Sequence, residues 1–110
     1  LYDGRRLGDW VPAVVNHLRE RFEPVQVVLF GSVARHEEGP DSDIDLLVVL
    51  PEVSDPLQAM AEMLNALDDF PVPIDVWPID TAGLEQARQL PSSLVAQALT
   101  EGQVVYDRSL

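Results

Sequence analysis

Two aspartates spaced two residues apart, Asp43 and Asp45, stand at the head of an apolar run that continues to Leu50. Side chains of an extended strand alternate between faces. Ile44, Leu46 and Val48 therefore point one way, and both carboxylates point the other, followed by Leu47 and Val49. At a separation of about 4 Å and an effective dielectric near 20, two such charges repel by roughly 4 kcal/mol. Stability alone seldom retains that arrangement. Protonation of one carboxyl relieves it, and so does a divalent cation. Paired hard oxygen ligands suit Mg2+, which commonly binds through one or two carboxylates plus substrate phosphates.

Upstream, a second apolar run from Val25 to Phe30 ends at Gly31-Ser32. Glycine there lets the backbone come close to a ligand. The N–H groups of the following turn, with the Ser32 hydroxyl, can cradle a phosphate at a helix N-terminus. Arg35 is a basic residue in acidic surroundings and can pair with a phosphate oxygen. Ser42, immediately before Asp43, joins this nucleotide-binding set. A third carboxylate, Asp75, lies in the strand-like stretch Pro73–Trp77, where aspartate is disfavoured. If that strand lies beside Asp43–Leu50, Asp75 completes a metal site and can accept the proton of an attacking hydroxyl. Each feature alone has a plain structural reading: Gly31-Ser32 as turn and helix cap, Ser42-Asp43 as a turn, Asp75 as a rim residue, Arg35 as a solvated side chain. Together they read as one nucleoside-triphosphate site. His17 and His36 read as solvated, Trp10 and Trp77 as core, and Glu37 and Glu38 as an exposed acidic face.

The elements that must position these residues follow from periodicity and punctuation. Trp10, Val14, Leu18 and Phe22 recur every four residues and predict a helix over 10–22, capped by Asp9 and stopped by Pro24. Residues 25–30 predict a buried strand. Residues 32–38 predict a short helix with Ser32 as cap and Gly39-Pro40 as stop. Asp43–Leu50 is the next strand, ended by Pro51. A long helix starts at Ser54 or Asp55 and buries Leu57, Met60, Ala61, Leu64 and Leu67. Residues 74–77 form a third strand, cut at Pro78. Asp80 or Thr81 caps a helix to about Leu90. Pro91-Ser92-Ser93 restarts a helix to about Thr100, ended by Gly102, and Val104–Tyr106 is a last short strand. Alternating helices and strands imply an α/β (α+β) fold, a mixed sheet of about four strands flanked by helices.

A chain of 110 residues with 46% hydrophobic content is expected to form one domain, 1–110, whose residues 1–8 are expected as a disordered leader. With no cysteine, neither a disulfide nor a Cys-ligated zinc holds the fold, which suits a reducing cytoplasm. No apolar run approaches the roughly 18 residues that span a bilayer, and the first ten residues lack the apolar segment of a signal peptide. The net charge of −12 argues against direct nucleic-acid binding, which needs clustered Lys and Arg, and fits a bound cation, a basic protein partner, or acidity that only keeps the chain soluble.

Gly-Ser, ten residues, then Asp-x-Asp, in the wording GSVARHEEGPDSDIDLLVVL, resembles the signature of the polymerase-β-like nucleotidyltransferases, and within them the minimal nucleotidyltransferase branch. The likeness runs from about Val25 to Tyr106 and takes in PIDVW and the closing EGQVVYD. It implies that Gly31 and Ser32 contact the nucleotide phosphates. It implies also that Asp43 and Asp45 bind two Mg2+ ions, and that Asp75 joins one metal and helps activate the acceptor hydroxyl. The chain departs from the family at His36, where glycine often follows the arginine. The resemblance further implies transfer of AMP from ATP to a hydroxyl of a partner, a tyrosine of an all-helical HEPN toxin, with this chain as antitoxin. Two other functions fit the same sequence: an antitoxin that neutralises by binding alone, and a nucleotidyltransferase acting on a small alcohol such as an aminoglycoside.

Overall fold

A computed structural model describes residues 2–90 and 92–108. Its elements are α1 (Val11–Phe22), β1 (Gln26–Phe30), α2 (Gly31–Ala34), β2 (Ile44–Leu50), α3 (Pro56–Ala66), β3 (Ile74–Asp80), α4 (Thr81–Arg88), α5 (Leu94–Glu101) and β4 (Gln103–Asp107). The four strands form one mixed sheet in the order β3-β2-β1-β4. β1 runs antiparallel to β2 and β4, while β2 and β3 are parallel and joined through α3. The expected mixed α/β architecture is the observed one. Among the described residues, no helix is long and apolar enough to cross a membrane.

The alternation along β2 divides the core. Ile44, Leu46 and Val48 pack with Val14 and Leu18 of α1 and Met63 of α3. On the other face, Leu47 and Val49 pack with Val28, Leu84 of α4 and Ala98 of α5. β2 is thus buried on both sides along most of its length, which is why it reads as a continuous apolar run. Only its leading end emerges from the α4/α5 layer, and Asp43 and Asp45 stand there.

Several boundaries differ from expectation, each for a local reason. Asp9 does not cap α1. It lies in a 3₁₀ turn, Leu7–Trp10, and its Oδ2 accepts a bond from the Arg6 N–H at 3.1 Å. Residues expected as a leader fold back on the domain: Leu7 is buried, and Trp10 Nε1 donates to the Tyr2 carbonyl at 3.1 Å. α2 is a single turn starting at Gly31, not a helix over 32–38 capped by Ser32. It stops because His36 takes a left-handed conformation, φ 58°. β3 does not end at Pro78 but continues to Asp80. It is an edge strand, the place in a sheet where a residue without an N–H is tolerated.

α3 is turned relative to the expected face. Met63 and Leu67 are buried and Met60 is partly so, whereas Leu57, Ala61 and Leu64 are exposed, Leu57 by 79%. Two overlapping apolar stripes run along this helix, and packing against β3 and α1 selects the one carrying the methionines. The caps at Asp55, Asp80 and Ser93 form as their sequences suggest, accepting from the N–H groups of Gln58, Gly83 and Ala96. Pro91, expected to restart the last helix, lies outside the described residues.

Candidate active site

Three strand ends converge at one corner of the sheet: the C-terminal end of β1 and the N-terminal ends of β2 and β3. Phe30 of β1 pairs with Asp45, and Asp45 pairs with Asp75 in the parallel β2–β3 register. Register and alternation together therefore put Asp43, Asp45 and Asp75 on one face. One carboxylate oxygen from each lies within 4.8 Å of the other two. Asp43 and Asp45 are half-buried, and Asp75 is exposed.

The crowding has an electrostatic signature. Partial burial, and then the charges of Asp43 and Asp75, push the Asp45 carboxyl from 3.8 up to about 6, with Arg35 pulling weakly the other way. Asp75 is shifted upward as well, by loss of water around its carboxyl, by a hydrogen bond with Asp43 and by the Asp43 charge. Either a proton or a divalent cation relieves the crowding in such a cluster.

Gly31 sits against this cluster with φ 77°, the left-handed region glycine enters without strain. A Cβ on Gly31 would overlap Oδ2 of Asp45. The glycine therefore does more than leave space for a ligand; it makes room for the carboxylate itself. Ser32 follows, inside the single turn of α2. Its Oγ donates to Ser42 Oγ at 2.8 Å, and the Gly39 N–H donates to the same Ser42 oxygen at 2.8 Å. Arg35 is close enough to act on Asp45, and its Nε is paired with Oε2 of Glu37 at 3.1 Å.

A family model for the nucleotidyltransferase domain matches residues 11–104. The chain belongs to that family. The fold of this nucleotidyltransferase domain is shared with several solved structures. A candidate nucleotidyltransferase from Sulfolobus solfataricus matches with a TM-score of 0.64 at 18% identity, over 94% of this chain and 83% of that one. A toxin–antitoxin solved with AMP-PNP matches with a TM-score of 0.52 at 22% identity, over 87% of this chain and 72% of that one. A mutant of the toxin–antitoxin MntA-HpeT gives 0.54 at 20% identity, with the same coverage. At these identities the likeness speaks for the fold. The comparison with curated proteins gives no match.

Within this nucleotidyltransferase domain the acidic cluster fits a divalent cation. Its donors are hard oxygens, the ligands Mg2+ prefers, one from each of three residues gathered in one place. A cation would also offset the mutual repulsion that adds to burial in raising Asp45 and Asp75.

All seven expected site residues lie at or beside this corner, but two are engaged differently than their sequence suggests. Arg35 binds Glu37, which reads in the sequence as part of a solvated acidic face. Ser42 binds Ser32 through its hydroxyl. Trp77, expected as core, is half-buried two residues beyond Asp75, with its ring 5.3 Å from that of Phe30. Glu38 also leaves the solvated face, reaching toward the Gly8 N–H at 3.4 Å. The turn signal Gly39-Pro40-Asp41-Ser42 was the clue to the Ser42 bond, because it bends the chain back toward α2.

Proposed function

We propose that this nucleotidyltransferase domain, residues 1–110 as one unit, transfers AMP from ATP to a hydroxyl of a protein partner, a tyrosine of a HEPN toxin, and so acts as an antitoxin in the cytoplasm. The observation that carries the reading is the convergence of Asp43, Asp45 and Asp75 on one face beside Gly31-Ser32. Support for the partner comes from the toxin–antitoxin structures that share the fold, one of them solved with AMP-PNP, and from the charge of −12, which suits a basic surface.

Asp43, Asp45 and Asp75 would hold two Mg2+ ions. When bound, these supply positive charge for the attacking and leaving oxygens of an in-line displacement. The chain's own residues do the rest. Gly31 and Ser32, with the backbone of α2, hold the triphosphate, Ser42 completes this nucleotide-binding set through its bond to Ser32, and Arg35 exchanges Glu37 for a phosphate oxygen. Asp75, exposed at the edge strand, accepts the proton of the acceptor hydroxyl. The acceptor oxygen then bonds to the α-phosphorus, the bond from that phosphorus to the bridging oxygen breaks, and pyrophosphate leaves. Positioning and electrostatics account for catalysis of this kind.

The test is mass spectrometry of the intact partner after incubation with this chain, ATP and Mg2+, using a HEPN protein encoded beside it. The expected result is a gain of one AMP, lost with Asp43→Asn. A tight complex whose partner keeps its mass would replace transfer by neutralisation through binding.

A further inference from the structure

Ser42 makes two hydrogen bonds beside the nucleotide site. Its Oγ accepts the Gly39 N–H and lies 2.8 Å from Ser32 Oγ. A backbone N–H can only donate, so Gly39 fixes one lone pair of Ser42. That leaves either the second lone pair or the proton of Ser42 for Ser32. Either hydroxyl can donate across this contact, and when Ser32 is the donor its proton is spent on Ser42. Both hydroxyls can rotate without moving an oxygen. After rotation Ser42 donates to Ser32, and Ser32 is free to donate to an anion.

We propose that Ser42 is a positioning residue that acts on the nucleotide through Ser32: Gly39 N–H, Ser42 hydroxyl and Ser32 hydroxyl form a relay whose direction a bound triphosphate sets. This rests on the nucleotide reading of the site given above. The relay polarises the Ser32 hydroxyl toward the phosphate, since each donated bond strengthens the next. It also ties the turn before Asp43 to α2. The carboxylate that faces the cation and the hydroxyl that faces the phosphate are thereby held in one register.

The test is a double-mutant cycle on Mg2+-ATP affinity, measured by calorimetry on the full chain. Ser32→Ala is expected to weaken binding by about tenfold, the usual scale for a hydrogen bond to a charged group, and Ser42→Ala by about threefold, the scale of a bond between neutral groups. Because Ser42 works through Ser32, the double variant should match Ser32→Ala alone, rather than show the product of the two losses. Ser42→Thr keeps the hydroxyl and should restore wild-type affinity; Ser42→Val, of the same shape, should not. Multiplying losses, or equal binding by the Thr and Val variants, would overturn the relay and leave Ser42 either touching phosphate directly or serving only the turn. Failure of the wild-type chain to bind Mg2+-ATP at all would overturn the nucleotide reading and the relay with it.

Discussion

Asp45 and Asp75 sit directly opposite each other on neighbouring parallel strands, with their carboxylates on the same face of the sheet. In that register two acidic side chains cannot avoid each other. Like charges opposed across strands are destabilising, and here Asp43 adds a third. The site is therefore a local sacrifice of stability, and its consequences can be measured without knowing the acceptor.

The first consequence is a pH dependence of opposite sign to that of a salt-bridged carboxylate. Asp45 is raised to about 6 in the folded chain, from an ordinary value of 3.8. The folded state thus holds this proton more tightly than the unfolded state, so stability falls as pH rises from about 4 to about 6 and stays lower above that. Asp45→Asn cannot ionise and should lose this component. Asp45 is half exposed, so solvent screening limits the gain at pH 7 to the order of 1 kcal/mol. Urea denaturation of the metal-free protein between pH 4 and 7 checks this. A difference between the two proteins that does not change with pH would count against the crowded-carboxylate picture.

Two left-handed residues flank the site and should respond with opposite signs. Gly31→Ala forces a Cβ against Asp45 at φ 77° and should cost about 1–3 kcal/mol, with loss of nucleotide binding. His36→Gly relieves a side chain held at φ 58° and should stabilise by about 0.5 kcal/mol, the strain relief being partly offset by the entropy of glycine. Thermal unfolding of the two variants reads both. Destabilisation by His36→Gly would mean that the left-handed turn is not a source of strain.

The orientation of α3 gives a third comparison. Met63→Ala should cost about 2–4 kcal/mol because Met63 is fully buried, whereas Leu57→Ala should change stability by less than about 0.5 kcal/mol. Chemical denaturation distinguishes them, and a reversed order would restore the face that simple apolar spacing suggests.

That helix shows where the sequence was ambiguous. Leu57, Ala61 and Leu64 make as regular a stripe as Met60, Met63 and Leu67, and only the position of β3 decides between them. Pro78 was misleading for a related reason: the rule that proline ends a strand holds inside a sheet, and strand order, which places β3 at an edge, is not written locally. The acidic site was more legible. Alternation along one strand aligns Asp43 with Asp45 without any tertiary information, and Gly-Ser at the end of the preceding strand marks the turn beside them. Asp75 needed the β2–β3 register to bring it in, and the Arg35–Glu37 and Ser32–Ser42 contacts needed the path of the turn between α2 and β2.

The central claim, that Asp43, Asp45 and Asp75 form a divalent-cation site serving a nucleotide, is tested most directly by titrating Mn2+, as a paramagnetic stand-in for Mg2+, into the wild-type chain and Asp45→Asn with AMP-PNP present, followed by electron paramagnetic resonance. The account predicts saturable Mn2+ binding by the wild type, beyond that of the nucleotide alone, weakened at least about tenfold in the variant, since removing a charged ligand costs more than 1.4 kcal/mol. Equal Mn2+ binding by the two proteins would contradict it.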